Sequence, residues 1–386
     1  MTHTTAPTSL TSPTPPAPDD LELFLVTLPG LEEALRDEAR ALGFRDAAAV
    51  PGGVTVRGGW PEVWRANVML RGASRVLVRI GAFRAFHLAQ LDKRARRVDW
   101  GAILRPDVPV RVEASCKGSR IYHDRAAAQR IARAIEAGAG APIGAEAEVV
   151  VKARIQGDVC TLSLDTSGEG LHKRGHKEAV GKAPLRETLA ALFLRQCGYD
   201  GRETVVDSMC GSGTFVIEAA EIAAGLAPGR SRRFAFQHLA TFDPAAFAAI
   251  TVASADADGP AAPRAYGYDR DAGAITMSGE NAARAGVEAW TAFAQQTVSD
   301  LEPPPGPPGL VIVNPPYGLR IGEKTALKPL YQALGRTLLE RFTGWRVGLV
   351  TSEAPLARAT GLPFGPAGPP VPHGGVRIRL YATGPL

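Results

Sequence analysis

From residue 21 the segment LELFLVT alternates loosely between apolar and polar positions, the period of a half-buried strand. Pro29-Gly30 turns the chain, and 31–42 then places Leu31, Leu35, Ala39 and Leu42 on one helical face, with Gly43 as its stop. The pattern predicts further strands at 53–57, 75–83 and 109–115, with a helical turn over 60–70. Residues 125–137 read as an amphipathic helix carrying Arg125, Arg130 and Arg133, and 148–155 with 159–165 as a hairpin around Gln156-Gly157-Asp158. Mixed strands and helices of this kind predict a compact α+β region.

Beyond a polar, glycine-rich stretch at 167–182 the rhythm changes. Pro184 opens a predicted helix at 185–196. Predicted strands at 204–208, 265–269, 292–297, 309–314, 346–351 and 376–382 then interleave with helices at 214–224, 272–285 and 327–342. Strands alternating with helices imply an α/β domain built on a mostly parallel, doubly wound sheet. Residues 225–263 interrupt the alternation and read as an insertion.

Of the 386 residues 45% are hydrophobic and 22% charged, a balance suited to a globular core. No apolar run approaches the roughly 18 residues that a membrane span needs, so no membrane partner is expected. Residues 1–20, rich in Thr, Ser and Pro, lack a basic start and an apolar run, and are expected to form a disordered tail rather than a secretory signal. Cys116, Cys160, Cys197 and Cys210 are scattered with no Cys-x-x-Cys spacing. That predicts a reducing, cytoplasmic setting and no metal site. Charge is uneven: between Arg71 and Arg133 fifteen Lys or Arg stand against five acids, while the formal net charge of the chain is +5. A phosphate-facing region joined to one with another task accounts for this, as does a plain preference for solvated arginine. The stretch at 167–182 adds His172, Lys173, Arg174, His176 and Lys177, a basic loop facing RNA or simply a solvated linker.

Three motifs carry chemistry. The apolar strand Val205-Val206-Asp207 runs through Ser208, Met209, Cys210, Gly211, Ser212 and Gly213 into a helix at Thr214. A glycine-rich turn between strand and helix lets backbone amides approach a ligand. Asp207 would repel a pyrophosphate but suits a cationic ligand such as the amino and sulfonium groups of S-adenosylmethionine. The ligand's own carboxylate would sit over the helix N-terminus. The next strand ends at Asp269, placed to accept ribose hydroxyls or merely to cap a helix, with Asp271 the better cap. Asp300 stands where the following strand is expected to end and can accept from an adenine amine. Finally Asn314-Pro315-Pro316-Tyr317 follows the buried strand 309–313. Two prolines fix the chain and set the Asn314 side chain and the Pro315 carbonyl as neighbouring acceptors. Such a pair would hold both hydrogens of an exocyclic base amine and turn its lone pair toward an incoming methyl group. Tyr317 would stack on the base. Cys210 lies inside the cofactor turn, where small size explains it better than nucleophilicity.

With these residues in hand the chain resembles the THUMP-domain Rossmann-fold methyltransferases that form N2-methylguanine in RNA. The stretches that carry the likeness are Leu164–Gly175 (LDTSGEGLHKRG), 183–190 (APLRETLA), the turn at 209–214 and Asn314 to Gly318. It covers nearly everything from Leu21 to Tyr381, and Ser208 stands where the family has proline. The resemblance implies a ferredoxin-like domain at 21–75, a THUMP RNA-binding domain at 76–166, a linker at 167–184 and a Rossmann-fold methyltransferase domain at 185–386. It implies that Asp207, Gly211, Gly213, Asp269 and Asp300 bind S-adenosylmethionine, and that Asn314 to Tyr317 hold the guanine. It also gives Lys117, Arg120 and Tyr122, beside Arg125 and Arg130, to the RNA surface. The expected substrate is large-subunit (23S) ribosomal RNA, with tRNA as the alternative inside the family. The Asn-Pro-Pro-Tyr motif also serves DNA adenine-N6 and protein glutamine methylation, from which a basic N-terminal region separates this chain. A non-catalytic ribosome-assembly factor is disfavoured by the intact motif.

Overall fold

The computed structural model describes residues 19–176, 185–252, 260, 262–318 and 323–386. The expected tail therefore lies almost entirely outside the described residues, as do Pro184 and residues 177–184 of the expected linker.

The N-terminal half begins β1 (Leu21–Val26), α1 (Glu32–Ala41), β2 (Arg45–Val50), β3 (Gly53–Gly58), α2 (Trp60–Met69), β4 (Arg75–Arg84). The strands lie in the order β2-β3-β1-β4, and each neighbouring pair is antiparallel. This is a βαββαβ sandwich of two helices on a four-stranded sheet. The chain continues through α3 (Leu88–Ala95), β5 (Val110–Lys117), α4 (Asp124–Ala139), β6 (Val149–Gln156) and β7 (Val159–Asp165). The expected 148–165 hairpin is β6 with β7, antiparallel around Asp158, whose φ is positive. Strand β7 pairs with the free side of β4, so residues 21–75 and 76–166 share one seven-stranded sheet and one core. The boundary expected at residue 75 falls at the start of β4, a strand common to both parts.

The C-terminal half comprises α5 (Glu187–Gln196), β8 (Val205–Asp207), α6 (Thr214–Ala223), α7 (Pro244–Val252), β9 (Ala265–Asp269), α8 (Ala272–Ala285) and β10 (Thr291–Gln295). Then follow β11 (Leu310–Val313), α9 (Glu323–Arg341), β12 (Arg346–Thr351), α10 (Ala354–Ala359), β13 (Val371–His373) and β14 (Val376–Ala382). Strand order is β10-β9-β8-β11-β12-β14-β13, parallel from β10 to β12 with β14 antiparallel against β12. Helices pack on a sheet whose central strands are wholly buried: Leu310, Val311, Ile312 and Val313 are all 0% exposed. Continuous apolar runs of this kind belong to a parallel sheet covered on both faces. Among the described residues no helix is long and apolar enough to cross a membrane.

Residues 225–252, the described first part of the expected insertion, form a clasp. Its short 3-10 turn (Ala235–His238) and α7 bring Phe236, Phe242 and Phe247 around Trp64 on α2, with ring centroids 5.7–6.5 Å apart. Aromatic packing of this size buries much apolar area in a tilted and edge-on geometry that the ring quadrupoles favour.

Charge reinforces the same junction. Two carboxylates on α6, Glu218 (2% exposed) and Glu221 (0%), meet cations from three other segments. Arg71 Nη1 donates to Glu218 at 2.8 Å and to Glu221 at 3.3 Å. Arg174 reaches Glu218 at 3.4 Å, and Arg230 donates to Glu221 at 2.7 Å. Burial pushes the Glu218 carboxyl up, and the neighbouring Arg174 and Arg71 outweigh it, so it titrates below its usual range. The helix that follows the glycine turn is thereby tied to the N-terminal half.

Candidate active site at the switch point of the parallel sheet

Strand β8 lies between β9 on one side and β11 on the other, so the chain leaves it in one direction for β9 and returns on the far side at β11. In open α/β sheets ligands bind in the crevice at the carboxyl ends of strands where the order reverses in this way. Val206 pairs with Tyr266 on β9 and with Val311 on β11, which sets the depth of each neighbour. Asp207 is level with Gly267, Asp269 ends β9 two residues further on, and Asn314 follows the last residue of β11. Three separate motifs of the sequence thus lie at the carboxyl ends of three adjacent strands.

The turn itself is tightly held. Gly211 (φ +54°) and Gly213 (φ +83°) occupy the left-handed region that side chains resist. A Cβ on Gly213 would meet Ser278 Oγ at 3.1 Å and Ile217 at 3.2 Å, whereas one on Gly211 would project into open space. The Gly211 amide donates to Asp269 Oδ2 and the Asp271 amide to Asp269 Oδ1, both at 3.0 Å. Asp269 therefore bridges turn and strand, while Asp271 caps α8 by accepting from the Gly273 amide at 2.8 Å. Behind the turn, Ser278 on α8 donates to the Gly211 carbonyl at 2.8 Å and Asn281 to the Ser212 carbonyl at 3.1 Å. Neither residue stands out in the sequence, because small polar residues in a helix read as solvent-facing. The Ser208 hydroxyl is buried with no hydrogen-bond partner among the described residues.

Asp207 is 2% exposed and, among the described residues, accepts only from the Met209 amide, at 3.1 Å. Burial, and then the charge of Asp269, push its carboxyl up to about 8 despite that hydrogen bond. The unfolded chain ionises at the ordinary value of 3.8, so between about pH 4 and pH 8 unfolding releases a proton and stability falls as pH rises. Asp207→Asn keeps the acceptor oxygen and removes that penalty. The variant is expected to gain thermal stability over the parent at pH 9 and little at pH 4; an equal difference at both pH values contradicts the buried-carboxyl account. A ligand cation placed at Asp207 would offset the same penalty. Cys210 is buried, and its thiol is pushed well above the range of a reactive thiolate by burial and by Asp207.

Asn314 is half-buried, and its Oδ1 accepts from the Tyr317 hydroxyl, which lies folded back on it. Tyr331 on α9 donates to the Pro316 carbonyl at 3.1 Å and meets Thr351 at 3.2 Å, pinning the second proline from behind. One of the two expected acceptors is thus already engaged. A base amine reaching Asn314 Oδ1 either takes its second lone pair or displaces the Tyr317 hydroxyl. Asp300 is exposed and lies beyond β10, which ends at Gln295 rather than at 297. Its Oδ2 accepts from Thr297 at 2.7 Å. Among the described residues no three His, Cys, Asp or Glu side chains cluster as a metal site requires.

The residues expected to face RNA separate into two groups. Lys117, Arg120, Tyr122 and Arg125 are all exposed at one end of the N-terminal sheet and the start of α4. Tyr122 is 71% exposed, and Arg120 lies 5.0 Å over the Phe86 ring. Arg130 is half-buried further along α4, Lys173 pairs with Glu169, and His172 is half-buried with its imidazole pushed down by burial and by Arg186. Arg174 corrects the expectation of a basic surface loop. It is 2% exposed, bonded to the Leu171 and Arg71 carbonyls at 2.8 Å each and facing Glu218. Its charge holds the junction together. Glu218 and Glu221 carry a signal of buried pairing in the sequence itself, as acids three apart in an otherwise apolar helix.

Residues 174–362 match the family described as "RMKL-like, methyltransferase domain", and residues 22–77 match the "RlmL ferredoxin-like domain". A "Ribosomal RNA large subunit methyltransferase K/L" of Methylococcus capsulatus (strain Bath) is 33% identical over 89% of this chain and 48% of its own length. The chain spans about half the length of the curated relatives it matches. Among solved structures, a Listeria monocytogenes protein described as a predicted N6-adenine-specific DNA methylase has a TM-score of 0.85 and 29% identity, over 95% of this chain and 97% of its own. SMU.472, solved in complex with SAH, has a TM-score of 0.84 and 25% identity, over 95% of this chain and 99% of its own. The glycine turn at the switch point and the matched residues agree, and residues 174–362 of the chain belong to the family of RMKL-like methyltransferase domains.

Proposed function

We propose that this chain transfers the methyl group of S-adenosylmethionine to the exocyclic N2 amine of a guanine in RNA, with 23S ribosomal RNA as substrate. The observation that carries the reading is the convergence of the Asp207–Gly213 turn and the Asn314–Tyr317 segment at the ends of adjacent strands. The residues fit the donor. Open space at Gly211 leaves room for it, the backbone amides at the start of α6 suit its carboxylate, and the uncompensated Asp207 suits its ammonium group. Asp269, already turned toward the glycine turn, is placed for the ribose hydroxyls, with Met209, Cys210, Ser212 and Thr214 lining the turn and Asp300 further out. When bound, the donor supplies an electrophilic methyl group on a sulfonium.

The chain's own residues supply orientation. Asn314 Oδ1 and the Pro315 carbonyl hold the two hydrogens of the base amine, and the two prolines keep both acceptors rigid. Tyr317, displaced from Asn314, stacks on the base. Transfer would be direct and in line: the carbon–sulfur bond breaks as the carbon–nitrogen bond forms, a neutral thioether leaves, and the amine proton passes to water.

RNA as substrate is supported by the exposed Lys117, Arg120, Tyr122 and Arg125 on the N-terminal sheet, an aromatic side chain among cations. Ribosomal RNA is supported by the name of the Methylococcus relative, and tRNA is the alternative within the same chemistry. Cytoplasmic location follows from that substrate. A second reading, adenine N6 in DNA, has the description of the Listeria protein in its favour. The test is to map methylated nucleosides in RNA from cells with and without the gene. Loss of one N2-methylguanine in 23S RNA is expected; an unchanged RNA profile with lost DNA N6-methyladenine would overturn the reading.

A further inference from the structure

A cleft of about 710 Å³ opens where three parts of the chain meet: the β4–β6 side of the N-terminal sheet, the 167–175 segment, and residues 231–235 of the insertion. Arg75, Arg111, Lys173, Arg232 and Arg233 line it, against Glu146, Glu148 and Glu169. Two of the acids already have partners, one of them inside the cleft. Glu169 pairs with Lys173, and Glu148 meets His238 at 3.1 Å.

Arg232 is the informative side chain. Its Nη1 donates to the Gly170 and Lys173 carbonyls and its Nη2 to the Glu169 carbonyl, each at 2.7 Å. Among the described residues its buried Nε has no hydrogen-bond partner, and no carboxylate lies within ion-pair distance of the guanidinium. Burial, and then nearby Arg174, push the guanidinium down to about 10. Arg111, across the cleft on β5, also has a buried Nε with no partner among the described residues, while its Nη2 sits 3.2 Å from Glu113. Arg233 is exposed, with no ion pair among the described residues. A half-buried guanidinium bonded to three carbonyls and lying 5.4 Å over the Phe234 ring, in a cleft that Arg111 and Arg233 also line, is costly unless an anion joins it. Guanidinium groups in a fork match the geometry of phosphate oxygens.

We propose that this cleft seats a backbone phosphate of the RNA substrate between Arg111, Arg232 and Arg233. The inference rests on the RNA reading above and adds a defined contact to it. Arg111 belongs to the N-terminal sheet and Arg232 and Arg233 to the insertion of the methyltransferase half. One phosphate held between them sets the register of the RNA on both halves at once.

The test uses the full chain carrying Arg111→Gln and Arg233→Gln together. Arg232 is left intact because its bonds to three carbonyls hold the 169–173 segment. Affinity for an RNA that the parent methylates is measured across a salt series, beside thermal stability and S-adenosylmethionine binding. The expected result is about a tenfold loss of RNA affinity at low salt and a log–log salt slope shallower by roughly one, with stability and donor binding unchanged. Unaltered RNA affinity and slope overturn the proposal, and so does a cleft that binds inorganic phosphate in the parent while the variant binds RNA normally. A parent that neither binds nor methylates RNA instead sinks the RNA reading itself, an outcome visible before any variant is made.

Discussion

Replacing Asn314 by alanine is expected to lower turnover by about two to three orders of magnitude while leaving affinity for S-adenosylmethionine unchanged. The two effects separate because Asn314 follows β11, whereas the turn and carboxylates suited to the donor lie on β8 and β9. A positioned acceptor acts on the amine alone, through orientation and through charge that develops as the new bond forms. Tyr317→Phe is the informative companion. It removes the hydroxyl that occupies Asn314 Oδ1 but keeps the ring, so its loss is expected to be far smaller. Single-turnover kinetics with saturating RNA, beside calorimetric donor binding, check both. An Asn314→Ala enzyme that keeps its rate contradicts the assignment of the base site.

The largest stability effect is expected at Glu218. Glu218→Leu removes the carboxylate that Arg71 and Arg174 share and leaves both guanidinium groups buried, with Glu221 serving Arg71 and Arg230. Breaking a buried ion pair from one side costs about 3–5 kcal/mol, because the remaining charge is uncompensated. Arg71 comes from the N-terminal half and Glu218 from the helix behind the cofactor turn, so the loss should appear in the unfolding of the whole chain. Urea denaturation followed by tryptophan fluorescence, with Trp64 at the same junction, gives the measurement. A change below about 1 kcal/mol would mean that the network is as weak as a surface pair.

Much of the fold could be read directly from residue pattern. β9, β12, β14 and α8 begin and end where periodicity predicts, and for α8 the reason is plain: Asp271 caps its start and Gly286, at φ +70°, closes its end. β2 escaped because RDAAAV is alanine-rich, lacks alternation and carries a register shift between Arg45 and Ala48. α3 escaped because its cap is the His87 ring, which accepts from the Gln90 amide at 3.2 Å, and not one of the usual short polar residues. The convergence of Asp207, Asp269 and Asn314 was legible because each ends a strand, and parallel strands place such ends on one edge. What local pattern could not show is partnership across distance. Arg174 reads as one more cation in a basic loop, and only the fold brings it to Glu218, forty-four residues on. The insertion likewise reads as a break in rhythm, because nothing near Phe236 or Phe247 in sequence names Trp64 as their partner.

Methyl transfer at this site requires one geometry, a donor seated over the glycine turn with its reactive carbon facing the Asn-Pro-Pro-Tyr segment. A crystal structure with S-adenosylmethionine bound tests it directly. The account predicts the amino group at Asp207, the ribose at Asp269 and the methyl group directed at the space between Asn314 and the Pro315 carbonyl. A donor bound elsewhere, or one whose methyl group points away from Asn314, would contradict it.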